Sequence, residues 1–352
     1  MSDGRILLYG ATGYTGRLIA QRAKAQGLDM LLAGRSNEAV AAVATPLGLP
    51  YLAVGLDDPA KLDEALAGIR VVLHVAGPFS ATSKPMVEAC LRKGVHYLDI
   101  TGEIEVFEAC AARDAAARTA GVMLMPGVGF DVVPSDCMAL HVKNRLPSAT
   151  TLTLAMNGLS NMSRGTAKTS VEALGKGTAI RKGGRIVEID EIPRKTLDFG
   201  AGPEPVIGIS WGDVATAYHS TSIPDIEVFF RETPEMARMM GMPKFLRKLL
   251  GSRPGQAVLK RAINLMPAGP GEDIRNTARA TVLAKARDST GALVRSRLET
   301  PEPYALTVET ALLIVGRVLA GDAPIGYQTP AKAYGADLIL EVPGTRRDEL
   351  NA

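Results

Sequence analysis

The sequence predicts an α/β chain of two domains: a parallel, doubly wound sheet first, then an α+β domain on a mostly antiparallel sheet. Three observations carry this. A short apolar run near the N-terminus breaks into regularly spaced glycines and continues as a helix. Apolar runs of strand length then alternate with helical segments as far as residue 138. From residue 150 the texture changes to period-two alternation, with Leu152, Leu154 and Met156 separated by polar or small residues. Apolar strands separated by helices are buried on both faces, whereas alternating strands bury one face only.

The first element is Ile6-Leu7-Leu8-Tyr9, followed by Gly10-Ala11-Thr12-Gly13-Tyr14-Thr15-Gly16 and a helix over 17–26. Gly10 permits a sharp turn at the strand end. Gly13 leaves room for backbone to approach a pyrophosphate, and Gly16 lets the helix pack close to the strand. The helix N-terminus offers unpaired N–H groups and a positive dipole end to an anion. The spacing is Gly-x-x-Gly-x-x-Gly, and Gly10, Thr12, Gly13, Tyr14, Thr15 and Gly16 are the expected phosphate-binding residues. A second strand, 30–33, ends at Gly34-Arg35-Ser36. In a dinucleotide-binding Rossmann sheet this end faces the adenosine ribose, where an acid accepts from the 2′-hydroxyl of NAD. An arginine fork and a hydroxyl suit a 2′-phosphate instead. Arg35 and Ser36 therefore predict NADP(H), the other reading of Arg35 being a solvated loop arginine.

The next elements are a helix over 37–44, a strand at 51–54 closed by Asp57-Asp58, a helix at 60–66 and a strand at 71–76. That strand runs into Ala76-Gly77-Pro78-Phe79, where a turn lets backbone approach the nicotinamide half of the cofactor. A helix over 86–92 would take Pro85 in its first turn. A strand at 96–100 leads to Thr101-Gly102-Glu103 and a helix to about residue 118. Asp99 and Glu103 are the first acids that could face a substrate; Thr101 and Glu103 could equally cap the helix that follows. A strand at 122–125 and the sequence Gly127-Val128-Gly129-Phe130-Asp131 precede a helix opened by Pro134-Ser135-Asp136. These glycines and the proline read as the way out of the first domain.

The domains expected are 1–138, nucleotide-binding; 139–302, a substrate and dimerisation domain; and C-terminal helices in 303–352 that return to the first. Within the second, strands are expected at 185–189, 206–210 and 225–230. The segments 276–287 and 293–298 flank a hairpin turn at Asp288-Ser289-Thr290-Gly291. Reductases need a group that protonates the atom beside the carbon taking hydride, and Tyr, His and Lys are suitable. Tyr218, His219 and Lys168 are the candidates, against the reading of Tyr218 as core and His219 as a satisfied polar residue. No Tyr-x-x-x-Lys pair occurs. Near 234–266 a basic helical insertion mixes Met239, Met240, Met242, Phe245, Leu246, Leu249 and Leu250 with Arg238, Lys244, Arg247, Lys248, Arg253, Lys260 and Arg261. It reads as ordinary structure with a solvated basic face, as a lid over an apolar substrate, or as a peripheral membrane contact.

The chain has 352 residues, and 40 Lys+Arg against 37 Asp+Glu give a net charge of +3. That balance argues against nucleic-acid binding. The three cysteines, Cys90, Cys110 and Cys137, are widely spaced and read as buried thiols of a reducing compartment. The four histidines show no metal-ligand spacing, so no metal is expected. The longest apolar helix candidate, 305–319, is interrupted by Glu309 and Arg317. No signal peptide is read at the N-terminus. A cytoplasmic protein is the expectation.

Several of these segments coincide with one family. Tyr9-Gly10-Ala11-Thr12-Gly13-Tyr14-Thr15-Gly16, Leu32-Ala33-Gly34-Arg35, Val75-Ala76-Gly77-Pro78-Phe79 and His96-Tyr97-Leu98-Asp99-Ile100-Thr101-Gly102-Glu103 resemble the saccharopine dehydrogenase-like oxidoreductases, in particular their trans-acting enoyl reductase branch. Gly129-Phe130-Asp131-Val132-Val133-Pro134-Ser135-Asp136, Gly165-Thr166 and Thr329-Pro330-Ala331 add weaker matches. The resemblance implies a Rossmann domain, a second α+β domain and NADP(H). Its enoyl reductase branch is implied to reduce C=C bonds of acyl chains, and its saccharopine branch to act on C–N bonds between amino acids. The expected activity is an NADPH-dependent reduction of a C=C or C=O bond in an apolar, acyl-type small molecule. Saccharopine-type imine reduction, and a non-catalytic NADP(H)-binding sensor or membrane-associated scaffold, are the alternatives. The antiparallel sheet is also a surface on which a homodimer could form.

Overall fold

A computed structural model describes residues 4–158, 162–173 and 177–350. Within it the side chains of Met239, Met240, Lys244, Phe245, Arg247, Lys248 and Arg253, named above for the insertion, lie outside the described residues. The chain divides into two compact units. One comprises Met1–Cys137 with Tyr304–Val342, the other Met138–Pro303 with Pro343–Ala352.

The first unit alternates strand and helix: β1 (Arg5–Tyr9), α1 (Tyr14–Ala25), β2 (Met30–Gly34), α2 (Asn37–Leu47), β3 (Tyr51–Ala53), α3 (Pro59–Ala65), β4 (Ile69–His74), α4 (Phe79–Lys93), β5 (His96–Asp99), α5 (Ile104–Ala111), α6 (Asp114–Ala120) and β6 (Met123–Met125). Helix α7 (Val133–Arg145) contains the division between the units. The second unit holds β7 (Thr151–Asn157), α8 (Arg164–Ala173), β8 (Thr178–Lys182), β9 (Arg185–Ile189), β10 (Arg194–Asp198), β11 (Pro203–Gly208), α9 (Asp213–Thr221) and β12 (Asp225–Arg231). It continues through α10 (Pro234–Met240), α11 (Lys244–Gly251), α12 (Arg253–Ile263), α13 (Glu272–Thr277), β13 (Arg279–Arg287) and β14 (Leu293–Pro301). The chain ends with α14 (Pro303–Leu319), β15 (Gly326–Tyr327), α15 (Pro330–Tyr334), a 3₁₀ turn over Leu338–Glu341, and β16 (Arg346–Leu350).

The first sheet runs β15-β6-β5-β4-β1-β2-β3 with every neighbouring pair parallel. Its direction of growth reverses between β1 and β4, the crevice where such sheets take a dinucleotide. Ile6, Leu7, Leu8, Val71, Val72 and Leu73 are fully buried because helices cover both faces. Each such side chain contributes roughly 1.5–3 kcal/mol. Local chemistry sets the helix ends. The Ser36 hydroxyl accepts from Ala39 N (3.3 Å) to start α2, and Asp58 accepts from Lys61 N (3.1 Å) to start α3 behind Pro59.

Two helices differ from the sequence expectation. Helix α4 begins at Phe79, one turn and more before residue 86, so Pro85 lies inside it rather than in its first turn. A carboxylate from elsewhere in the fold caps that early start, as described below. The single helix expected from Glu103 to about residue 118 is two, α5 and α6, parted at Ala112 and Arg113, where Arg113 leaves helical geometry (φ −100°, ψ 10°).

The second sheet runs β10-β11-β12-β7-β13-β14-β16, with β8 joined to β12 and β9. Only β12 and β7 pair in parallel among the described strands. Leu152, Leu154 and Met156 stand opposite Ile226, Val228 and Phe230, all buried, so one face is apolar as the alternation predicts. The hairpin turn is organised by Asp288, whose carboxylate accepts from Thr290 N and Ala292 N, both at 2.9 Å.

The C-terminal region departs from the expected set of returning helices. Tyr304–Val342 joins the first unit, yet it does so partly as a strand, β15 alongside β6. Pro343–Ala352 belongs to the second unit, where β16 pairs antiparallel with β14. The Arg297–Asp348 pair (2.9 Å) and Leu350, packed on a cluster of Ala155, Phe199, Val206, Phe229 and Leu283, hold it there.

Candidate functional site

The carboxyl edge of the first sheet gathers the glycine turn after β1, Arg35 and Ser36 after β2, Ala76–Phe79 after β4, Thr101–Glu103 after β5 and Gly127–Asp131 after β6.

The three glycines of the turn have different reasons to be glycine. Gly10 has φ +97°, and a Cβ there would stand 2.8 Å from the backbone nitrogen of Ala76. A Cβ on Gly16 would strike the Gly10 carbonyl and come within 2.9 Å of Ala11 Cα. Gly13 is exposed, has an ordinary φ of −71°, and a Cβ there would meet nothing nearer than Gly10 O at 3.4 Å. The protein's own packing enforces Gly10 and Gly16; the space over Gly13 is open to something outside the chain. Helix α1 starts there with no side-chain cap and no acid in its first turn. Thr12, Tyr14 and Thr15 are partly exposed beside it, and the Tyr14 ring sits edge-on to Tyr304 at 5.1 Å. Arg17, which sequence reasoning passed over, donates from Nε to Thr12 O (3.1 Å) and puts a cation against the turn. An open, uncapped, positively biased helix start fits a pyrophosphate.

Arg35 and Ser36 are exposed at the end of β2. The Ser36 oxygen accepts from Ala39 N, which leaves its hydroxyl proton available to donate. The Arg35 guanidinium, exposed here, has the planar fork geometry that suits a phosphate.

The turn after β4 is held from two sides. Thr82 Oγ1 lies 2.6 Å from Ala76 O and 3.0 Å from Pro78 O, and His74 Nε2 lies 2.9 Å from the same oxygen. A hydroxyl has one proton, so Thr82 gives it to a carbonyl and His74 Nε2 is the N–H that donates to Thr82. From the other side, the two carboxylate oxygens of Glu103 accept from Phe79 N (2.8 Å) and Ser80 N (2.7 Å). Glu103 thus caps α4 across 24 residues, and not its own helix α5, which has no side-chain cap. The Gly77–Pro78 bond is cis, Gly77 is exposed, Ala76 and Pro78 are partly exposed, and Phe79 is buried.

Asp99, the last residue of β5, is wholly buried. It accepts from Tyr97 Oη (2.7 Å), Thr101 N (2.9 Å) and Gly127 N (2.9 Å), while its backbone oxygen accepts from Val128 N (2.7 Å). It ties the ends of β5 and β6 together, a structural role rather than the substrate-facing one considered above. Further along, Phe130 N donates to Thr307 Oγ1 (3.0 Å), and Thr310 Oγ1 donates to Val128 O (2.8 Å). Asp131 follows, half-buried, with its Oδ2 3.0 Å from where a Cβ on Gly102 would be.

The three proton-donor candidates lie in the second unit. Tyr218 is on α9, and its ring face is covered by the Arg181 guanidinium at 4.1 Å. Arg181 is itself buried and donates to Val214 O and Gly184 O, both at 2.7 Å. His219, next in the helix, is partly exposed with its ring 6.0 Å from that of Tyr218. Lys168 is on α8, which packs against α11 and α12, whereas α9 packs against β8 and β12. The described residues include no metal-ligand cluster, and Cys90, Cys110 and Cys137 are buried free thiols.

Comparison with known proteins agrees with this geometry. Residues 6–125 match the saccharopine dehydrogenase NADP binding domain. A trans-acting enoyl reductase of Mycobacterium ulcerans (strain Agy99) is 33% identical over 168 residues, 44% of this chain and 39% of that protein. A human saccharopine dehydrogenase-like oxidoreductase is 27% identical over 215 residues, 53% of this chain and 50% of that protein. The chain therefore spans half or less of the length of these curated relatives. Among solved structures, apo saccharopine dehydrogenase (L-Glu forming) from Saccharomyces cerevisiae shares the fold over 99% of this chain and 100% of that one, at TM-score 0.66 and 12% identity. A homospermidine synthase from Legionella pneumophila, solved with NAD, does so over 99% and 91%, at TM-score 0.63 and 10% identity. The first unit thus carries an NADP-binding domain of the saccharopine dehydrogenase type.

The glycine geometry separates stability from binding. Gly13→Ala should leave the melting temperature within about 2 °C of wild type, because the new methyl group meets only an ordinary contact. Its NADPH affinity, read by fluorescence titration, should fall about tenfold or more as the methyl occupies the pyrophosphate's approach. Gly16→Ala should lower both.

Protonation gives a second test. Burial holds His74 down at about 3 and His96 at about 4, so between about pH 4 and 6.5 the unfolded chain binds more protons at both and acid removes stability. Burial pushes Asp99 and Asp131 up to about 7, so between about pH 4 and 7 the native chain binds more protons at both and acid adds stability. The two effects oppose each other. Asp99→Asn keeps an oxygen for Thr101 N and Gly127 N but removes one of the opposing acids. Relative to wild type, its unfolding free energy should fall as pH drops from 6.5 to 4, by up to about 1.4 kcal/mol per pH unit. Asp99→Ala strands three buried donors and should cost about 3 kcal/mol at neutral pH as well. Urea midpoints at pH 5 and 7 read both.

Proposed function

We propose that this chain, whose residues 6–125 form a saccharopine dehydrogenase NADP-binding domain, is an NADPH-dependent oxidoreductase that reduces a C=C or C=O bond of an apolar, acyl-type substrate by hydride transfer. The observation that carries the cofactor choice is Arg35, an exposed guanidinium beside Ser36 at the end of β2, where an NAD enzyme has an acid. Backbone N–H groups at the uncapped start of α1, with Arg17 beside them, hold the pyrophosphate. Arg35 and Ser36 hold the 2′-phosphate by charge-assisted hydrogen bonds. The Ala76–Phe79 turn, fixed by Thr82, His74 and Glu103, places the nicotinamide half. NADPH supplies the hydride when bound; the chain supplies position and the surrounding charge.

The apolar substrate class rests on two supports. The relatives include trans-acting enoyl reductases. The helical insertion also exposes large apolar side chains: Leu249 at 62%, Val258 at 65% and Leu265 at 88%. Exposed apolar surface of this kind favours an apolar ligand. The relatives called saccharopine dehydrogenase-like oxidoreductases keep imine chemistry as the second reading.

Arg35→Asp tests the cofactor choice. NADPH should bind about 10–100-fold more weakly, from the lost fork and the added repulsion, while NADH binding stays within about twofold. Equal loss for both cofactors would contradict the assignment. A substrate panel then divides the chemistry: NADPH oxidation with enoyl thioesters supports the acyl reading, and oxidation only with an amine plus an oxo acid supports the imine one.

A further inference from the structure

The helical insertion of the second unit has an outer face that its packing does not explain. Helix α12 lies on α8, where Leu259 and Ile263 pack with Ala167 and Val171. That row, at i and i+4, is the core face of the helix. A second apolar row runs along its other side. Val258, Ala262 and Leu265 follow one another at helical spacing, through α12 and into the turn after it, and all three are exposed. Met266 is exposed beside Leu265, as is Leu249 on α11, which packs with α12. A surface helix ordinarily turns polar residues to water on this side. Charge singles out the same stretch. From Met236 to Gly271 the sequence holds seven Lys and Arg and no Asp or Glu. The rest of the chain keeps 33 of the 40 Lys+Arg against all 37 Asp+Glu, a net charge of −4. Arg261, exposed, stands three residues after Val258 and so on the same side of α12.

We propose that this face docks on an anionic lipid surface. The row Val258, Ala262 and Leu265, with Leu249, enters the boundary between headgroups and acyl chains, and the basic residues meet acidic headgroups. Buried apolar area and attraction to anionic lipid are the two terms that hold a peripheral amphipathic helix to a bilayer. No helix among the described residues is long and apolar enough to cross a membrane, and the contact proposed is with one leaflet. The nearest acids in the sequence, Glu235 and Glu272, lie outside the basic run at either end. Lipid fits the face better than an acidic protein does. A side chain as bare as Leu265 stands clear of its neighbours. Lipid tails conform to such a side chain, whereas a protein partner must carry a pocket that matches it. The proposal goes beyond the reductase reading and does not depend on it.

Co-sedimentation of the full chain with vesicles tests this. One set is pure phosphatidylcholine, the other phosphatidylcholine with about 30% phosphatidylglycerol. Wild type should bind the phosphatidylglycerol vesicles about tenfold or more tightly than the neutral ones, and a rise from about 0.05 M to about 0.5 M salt should remove most of that preference. The double variant Val258→Asp with Leu265→Asp should bind them about tenfold or more weakly than wild type. Its melting temperature should stay within about 2 °C, since both positions are exposed. Wild type alone can decide the matter: no binding to either vesicle, or equal binding to both, overturns the proposal. Undiminished binding by the folded double variant overturns it too. A wild-type dimer that the variant turns into monomer, with no vesicle binding, assigns the face to a second copy instead. Binding of polyglutamate but not of vesicles assigns it to an acidic protein, and binding of a fluorescent fatty acid but not of vesicles makes it a lid. NADPH titration of the same wild-type sample keeps the two readings apart: its failure strikes the reductase reading and leaves the vesicle result standing.

Discussion

The close approach of Gly10 to the end of β4 governs the first unit. The chain leaves β1 at φ +97° with the Ala76 backbone where a side chain would be, and α1 then returns over the Gly10 carbonyl through Gly16. These two contacts set the angle at which α1 departs. They also set where the uncapped start of α1 lies, just after the exposed Gly13. Packing that satisfies the protein therefore leaves an open helix start of the kind that suits an anion. The turn after β4 depends on the same contact, because Ala76 and Gly77 begin where Gly10 ends.

Charge is distributed unevenly along the edge so formed. Arg17 and Arg35 stand at the phosphate and ribose half, both exposed. The other half holds ionisable groups that burial keeps near neutrality: His74 without its proton, and Asp99 and Asp131 with pKa values near 7. Permanent cations suit the permanently charged phosphates.

Legibility in the sequence follows the range of each interaction. The glycine turn, the Arg35 position and the parallel strands are written in adjacent residues, so spacing and apolar runs reveal them. The alternation in β7 likewise predicts its buried face. The Glu103 cap on α4 spans 24 residues and joins two elements with no shared local pattern. A glutamate before a helix reads most simply as that helix's own cap, and here the fold turns it to another. Strand β16 is polar and edge-lying, so its place comes from Arg297 and Leu350 contacts rather than from periodicity. Tyr218 and His219 are adjacent in the sequence, but Arg181 lying across the tyrosine ring is visible only in the fold.

Whether this edge takes a 2′-phosphorylated dinucleotide is read in a crystal structure of the protein grown with NADP+. Density is expected for the pyrophosphate against Gly13 and the start of α1, for the 2′-phosphate within hydrogen-bond distance of Arg35 and Ser36, and for the nicotinamide ring beside Gly77 and Pro78. An ordered dinucleotide whose 2′-phosphate points into solvent away from Arg35, or one bound elsewhere than this edge, would contradict it.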